Sequence, residues 1–365
     1  MNKQEYLEKS MESARLLKDE KHKEEIEEFI DSNSPESIEE ELNKYVIGQP
    51  QLTRMVADFA FYHALKQRHP ELPPRVILTS GPSGSGKTEV WRTLSKMPFG
   101  KIFKIEIADS SKITSEGWSG GYKINSFLSK DMADGIIIFD EFDKLARPRH
   151  SSTNENVSLS LQSEFLRLME GDFVFKDARR PLKNFETAQM SIALVGAFED
   201  IRNNKLESAN TKTIGFNSTE PTVKIDHKVS PRDLIDYGVM PELVGRISEI
   251  CTTNFLDDAE YLKIIKSPTS RVGNITKVLQ GYGVSFDEVV SDSDILRLIK
   301  NSKENSTGVR WVSAQVESKL LKAMRKVDFS HDNFYTAKNE KSLFCQTAKG
   351  AFLFKLMFVL RLQYL

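Results

Sequence analysis

Eight consecutive residues, Gly81-Pro82-Ser83-Gly84-Ser85-Gly86-Lys87-Thr88, constrain this chain more than any other stretch. They match G-x-x-x-x-G-K-S/T in full, and they stand between a predicted strand, Arg75 to Thr79 (RVILT), and a predicted helix, Lys87 to Met97. Glycines let the backbone curl until several N–H groups face one anion, and the helix N-terminus adds positive potential. Lys87 can then reach the β- and γ-phosphates of a nucleotide, and Thr88 can ligate Mg²⁺.

Ile136-Ile137-Ile138-Phe139-Asp140-Glu141 fits the second half of such a site. A buried strand would deliver Asp140 to its carboxyl end, where ligands of open α/β sheets bind. Asp140 would hold Mg²⁺, largely through water, and Glu141 would orient and deprotonate an attacking water. An acidic pair of this kind favours hydrolysis over transfer to a second substrate.

The fold class follows from the pattern around these motifs. Short apolar runs at Arg75 to Thr79, Ile102 to Ile107, Gly135 to Phe139 and Ile192 to Val195 alternate with helical stretches, notably Val157 to Met169. That alternation predicts an α/β fold with a parallel sheet flanked by helices. Residues from about 255 to 330 read as a smaller α-rich unit, and 200–235 as an exposed polar loop. At 365 residues the chain has room for two or three folded units. The expected division is a charged helical or flexible extension over 1–34, a large nucleotide-binding domain over 35–250, a small α-rich domain over 251–340 and an apolar extension over 341–365. Residues 1–33 are expected to form a solvated helical arm or a flexible leader. Ser34-Pro35 reads as a cap followed by proline at the first helical position, with Ile38, Leu42 and Tyr45 on one face.

Lys+Arg (51) and Asp+Glu (52) nearly cancel, so no global field favours nucleic acid or an anionic membrane. Two cysteines, Cys251 and Cys345, are too few for a disulfide scaffold or a four-cysteine zinc site, and point to a cytoplasmic setting. The apolar run Ala351 to Leu365 is shorter than the roughly 20 residues a membrane span needs.

Beyond these general motifs, several stretches resemble the ClpX-like AAA+ ATPases, ring motors that unfold proteins. Tyr45-Val46-Ile47-Gly48-Gln49 looks like the family's adenine-contacting segment. Asp140 to Arg147 (DEFDKLAR) resembles its extended acidic strand end, and Phe165 to Gly171 (FLRLMEG) the helix that follows. Pro231 to Ile235 with Tyr237 to Arg246 (YGVMPELVGR) is a long match, and Thr307-Gly308-Val309-Arg310 resembles the small-domain sensor. The similarity runs in order from about Ile38 to Val327.

The resemblance implies ATP and Mg²⁺ as cofactors and a P-loop AAA+ fold. It makes Val46 and Ile47 nucleotide contacts, Arg246 an arginine finger reaching the neighbouring subunit's ATP, and Arg310 a phosphate contact within its own subunit. Gly117-Trp118-Ser119-Gly120 stands where the family lines its central pore with an aromatic residue; the alternative is a tryptophan capping the core. Arg147 to Asn156 would be a second pore loop. Ile214-Gly215-Phe216, in the polar stretch, matches the tripeptide by which such rings dock onto ClpP peptidase, unless both side chains fold back onto their own domain. The implied partners are further copies of the chain, in a homohexamer, and unfolded or tagged protein substrates.

Three departures stand out. No zinc-binding module precedes residue 35. The stretch Ser191 to Phe198 (SIALVGAF) is one residue shorter than in the family and leaves the first sensor position without a polar group. Phe352 to Leu365 has no counterpart. The related HslU unfoldases insert a long domain after the acidic strand, for which Glu141 to Ser191 leaves no room. A nucleic-acid motor is the rival from another class, with Lys112, Lys123, Arg147 and Arg149 its only nearby basic residues. A third reading is a ring subunit that binds ATP but hydrolyses it poorly.

Overall fold

The computed structural model describes residues 19–115, 121–128, 132, 134–148, 156–171, 175–176, 184–185, 187–211, 228–305 and 307–326. Three helices lead in: α1 (residues 19–32), α2 (Pro35–Asn43) and α3 (Pro50–Arg68). A parallel sheet alternates with helices from there: β1 (Val76–Ser80), α4 (Glu89–Leu94), α5 (Pro98–Ile102), β2 (Ile105–Asp109), β3 (Ile136–Asp140), α6 (Phe142–Ala146) and α7 (Val157–Met169). A two-residue antiparallel ribbon, β4 (Phe175–Lys176) and β5 (Asn184–Phe185), precedes β6 (Ser191–Gly196), α8 (Glu199–Thr211), α9 (Pro231–Tyr237), α10 (Pro241–Val244) and β7 (Glu249–Thr252). A helical unit closes the described chain: α11 (Asp258–Lys266), α12 (Arg271–Gln280), α13 (Phe286–Val289), α14 (Asp292–Glu304) and α15 (Gly308–Ala323).

The five-stranded sheet runs β2-β3-β6-β1-β7 with every pairing parallel. Its central strands β1, β3 and β6 are buried and largely apolar because helices cover both faces. Alternate side chains divide between two cores. Leu78, Ile137, Phe139, Ile192 and Leu194 join Phe142, Phe165 and Leu243 on one face. Ile77, Ile136, Ile138, Ala193 and Val195 join Leu42, Phe59, Trp91 and Phe99 on the other. The helical unit has its own core around Ile265, Ile295, Val312 and Leu320. No helix among the described residues is long and apolar enough to cross a membrane.

Several local expectations shift. The cap at Ser34 forms, with Ser34 and Ser37 exchanging backbone-to-side-chain hydrogen bonds. Tyr45, however, is exposed, because α2 ends at Asn43. The described part of the leading arm is helical but not solvated throughout: Ile26, Phe29 and Ile30 are buried on the sheet's second face, and Phe29 meets Phe99 edge-on. The strand expected from Ile102 begins only at Ile105, since Pro98 starts a short helix that ends at Ile102. The stretch expected as a loop from 200 begins as helix α8, and 231–237 is helical too. Strand β7 went unpredicted because four residues with a polar neighbour at each end carry too little periodicity.

His63 ties α3 to the sheet. The Asp134 carbonyl accepts from Nε2–H at 2.9 Å, so Nδ1 is the acceptor for the Ser191 hydroxyl, also at 2.9 Å. Its ring packs edge-on against Phe103. Burial holds the imidazole neutral and lowers its pKa from 6.5 to about 4. A depressed histidine pKa means that the unfolded chain takes up the proton first. The stabilisation is therefore complete above pH 6.5 and is lost as pH falls toward about 4. The full shift corresponds to about 3 kcal/mol. Denaturant midpoints measured across this window should fall less steeply in His63→Gln than in the native chain; equal slopes would show that His63 is not the titrating group.

Candidate nucleotide site

The phosphate loop leaves the fully buried strand β1 and turns into α4. Gly81, Gly84 and Gly86 all have positive φ. At Gly81 space decides as well as φ, because a Cβ there would lie 1.8 Å from Thr253 Oγ1. Thr253 follows β7 and braces the loop: its Oγ1 shares a 2.7 Å hydrogen bond with Ser85 Oγ, and its N–H donates to Ser80 O. On the other side the loop meets the helical unit. A Cβ on Gly84 would approach Val309 N to 3.0 Å, and one on Gly308 would approach Ser83 O to 2.5 Å. Pro82 and Ser83 thus lie on a turn held from both sides.

Lys87 donates to the carbonyls of Gly81 and Pro82, each at 2.7 Å. Burial lowers its pKa to about 8, Asp140 and Asp143 oppose that shift, and the guanidinium groups of Arg202 and Arg310 add to it. A buried ammonium resting on its own loop, in a field with two arginines, is a receptor for an anion.

Thr88 Oγ1 donates to Asp140 Oδ2 at 2.8 Å, which joins the loop to the acidic strand end. The other carboxylate oxygen, Oδ1, accepts from the Glu141 N–H at 2.9 Å. That contact turns Glu141 into the left-handed region, φ 58° and ψ 32°, a conformation that a non-glycine residue keeps only when its surroundings impose it. Glu141 Oε2 accepts from Lys144 Nζ at 2.7 Å, and the carboxylate stays open to solvent. A hydroxyl and a carboxylate oxygen 2.8 Å apart beside a phosphate loop suit a hard divalent cation, so the donor set fits Mg²⁺.

Val46 is buried, and its Cγ1 lies 3.6 Å from where a Cβ on Gly86 would stand, so the 45–49 segment touches the phosphate loop. Ile47 beside it is half-buried. Gln49 clamps this segment to the chain beyond β7: its Nε2 donates to Asn254 O and its Oε1 accepts from Asn254 N–H, both at 2.9 Å. Neither the Gln49 clamp nor the Thr253 brace was readable from sequence, because each acts across about 200 residues of chain.

The two arginines singled out by the resemblance sit differently. Arg310, in the first turn of α15, is exposed and close enough to Lys87 to act on it electrostatically. Arg246 is not part of that group. Ser248 N–H donates to Val76 O, which places Arg246 near the amino end of β1, whereas the phosphate loop leaves the carboxyl end. Five strand residues at ~3.3 Å each separate the two ends by about 16 Å, beyond an arginine's reach. In its own subunit Arg246 pairs with Glu170 at 2.5 Å. Gly117, Trp118, Ser119 and Gly120, the docking tripeptide Ile214, Gly215 and Phe216, and most of the second pore loop lie outside the described residues.

The profile of the family described as "ATPase family associated with various cellular activities (AAA)" matches residues 77–204, from the strand before the phosphate loop to the first turns of α8. The chain is also similar to proteins named "ATP-dependent Clp protease ATP-binding subunit ClpX". The one from Treponema denticola is 27% identical over 332 residues, covering 80% of this chain and 76% of the relative. The one from Porphyromonas gingivalis is 28% identical over 326 residues, covering 80% and 77%. That from Bacteroides thetaiotaomicron is 27% identical over 327 residues, with the same coverage. The AAA match, a parallel sheet carrying a complete phosphate loop and similarity along most of the chain together support a ClpX-like ATPase of the AAA+ class.

Proposed function

We propose that the chain assembles into a ring, with six copies as the expected number, and uses ATP hydrolysis to thread protein substrates through a central pore. The position of Arg246 carries this reading. An arginine in the family's finger position at the opposite end of β1 from its own loop, a strand length of about 16 Å, is placed to complete a nucleotide site in a neighbour. Within each site, the loop N–H groups and Lys87 bind phosphate, Val46 and Ile47 line the base, and Arg310 contacts phosphate from α15. Thr88 and Asp140 would hold Mg²⁺, which neutralises phosphate charge when bound. Glu141 positions water and accepts its proton at the carboxylate. The division into a large domain to about residue 250 and a small α-rich domain after it supports the same scheme, with the nucleotide at their junction. A cytoplasmic location fits this activity.

Trp118, between Gly117 and Ser119-Gly120, grips an extended chain by apolar contact without reading its sequence. Ile214-Gly215-Phe216 docks the ring onto a ClpP-type peptidase, a reading supported by relatives named as Clp protease subunits. Several weak loop contacts on one ring add up to a tight complex.

One experiment tests the whole scheme: ATP-driven degradation of a tagged fluorescent protein by this chain with a cognate peptidase. Trp118→Ala should abolish loss of fluorescence while ATP turnover persists. Deleting residues 214–216 should abolish degradation while unfolding and ATPase activity persist. Unfolding at the native rate in Trp118→Ala would return that residue to a core role. ATP turnover stimulated by nucleic acid and not by unfolded protein would favour the nucleic-acid motor instead.

A further inference from the structure

Arg202, one turn into α8, is a buried cation without an adequate partner. The residue is only 8% exposed, yet its Nε and Nη1 donors are buried with no hydrogen-bond acceptor among the described residues. Its nearest carboxylate, Glu199, lies 3.9 Å from Nη2 and is itself largely in solvent. The guanidinium stacks over the ring of Phe255 at 5.7 Å, which contributes attraction but accepts no hydrogen bond in the plane of the fork. Removing a charge from water and leaving its donors unmet is costly, so such a group is retained where a ligand supplies the acceptors.

Its surroundings name the ligand. Strand β6 lies between β1, which delivers the phosphate loop, and β3, which delivers Asp140. The carboxyl end of β6 offers only Gly196, Ala197 and Phe198, and Phe198 is forced to φ 47° as the chain turns into α8. Phe255 stands two residues after Thr253, which holds Ser85 of the loop. Arg202 therefore follows the strand end that stands between the loop strand and the acidic strand, and it is close enough to Lys87 to act on its charge. We propose that Arg202 is a phosphate-binding residue of the ATPase site, its fork meeting the terminal phosphate from the β6 side, where the strand end has no polar group of its own. A planar guanidinium suits this role, since it presents paired donors to phosphate oxygens.

The proposal rests on the ATPase site described above and is tested by comparing nucleotides. Arg202→Met keeps length and removes charge; Arg202→Lys keeps charge and removes the fork. Affinities for a non-hydrolysable ATP analogue and for ADP are measured by fluorescence titration of the full chain, together with the thermal midpoint without nucleotide. Arg202→Met should weaken the ATP analogue by about tenfold to a hundredfold, the size of a lost charge-assisted hydrogen bond, and Arg202→Lys by less. ADP affinity should change less than about threefold, well under the effect on the analogue. The nucleotide-free midpoint should hold or rise in Arg202→Met, because an unmet buried charge has been removed. A merely structural arginine gives the opposite signature, a lower midpoint with an unchanged ratio of ATP-analogue to ADP affinity, and that result overturns the proposal. Failure of the native chain to bind either nucleotide would instead overturn the site itself.

Discussion

Replacing Glu141 with glutamine is expected to lower ATP turnover by about 10²–10⁴-fold, the usual contribution of a positioned general base. The substitution isolates the chemistry. Glutamine has no more freedom than glutamate in the left-handed region, so the backbone turn held by Asp140 Oδ1 is under the same constraint before and after. The amide keeps the shape but cannot take a proton from water. Nucleotide binding should survive, because Lys87, Thr88 and the loop N–H groups are untouched, and the variant should hold ATP uncleaved. Lys87→Ala should do the reverse and lose binding first, since it removes the ammonium from the buried cradle. Turnover in Glu141→Gln within a few-fold of the native chain would remove Glu141 from the mechanism.

Arg246→Ala should have an effect at least as large, with a different logic. Arginines supplied across a boundary contribute about 10³–10⁵ in rate in other phosphoryl-transfer systems. In the isolated subunit the Arg246–Glu170 pair is solvent-exposed, so its loss should leave thermal stability almost unchanged. The deficit should appear only in turnover by the assembled ring. Mixing Arg246→Ala with Glu141→Gln subunits makes the geometry testable. Neither ring works alone, but in mixed rings some boundaries bring an intact base on one side to an intact arginine on the other. Activity should then return in part, in proportion to the fraction of such boundaries. No recovery, with mixed assembly shown by mass, would mean that Arg246 does not act on a neighbour's nucleotide.

How much of this was legible in the sequence depends on how far apart the cooperating residues stand. Gly81 to Thr88 and Asp140-Glu141 were readable because each is a contiguous run whose chemistry dictates its spacing. The sheet was readable where strands are buried on both faces, as at Ile136–Asp140, and not where a short edge strand alternates with polar residues, as at Glu249–Thr252. Thr253 gave no local signal, and Gln49 stood only as the last residue of the adenine-contacting resemblance, with no sign of its partner. Their roles exist only because parallel pairing of β7 with β1 carries residue 253 alongside Ser80, and because Gln49 and Asn254 meet across the fold. Arg202 looked like one charge among many in a polar stretch, and only its burial sets it apart. The leading arm misled in the opposite direction: three apolar side chains among glutamates and lysines look sparse, yet on a helix Ile26, Phe29 and Ile30 fall on one side.

The contact between the phosphate loop and the start of α15 has a mechanical consequence. At most seams between folded units, side chains act as bearings, changing rotamer to absorb small displacements. Here Gly84 and Gly308 leave no side chain between Ser83 O and the first turn of α15, so main chain meets main chain. Such a seam has almost no play. Rocking of the helical unit would therefore bear directly on the turn of the phosphate loop, and closure of that turn would bear on the helical unit in return. A methyl group at either glycine would both strain a backbone held at positive φ and press the two main chains apart like a permanent shim.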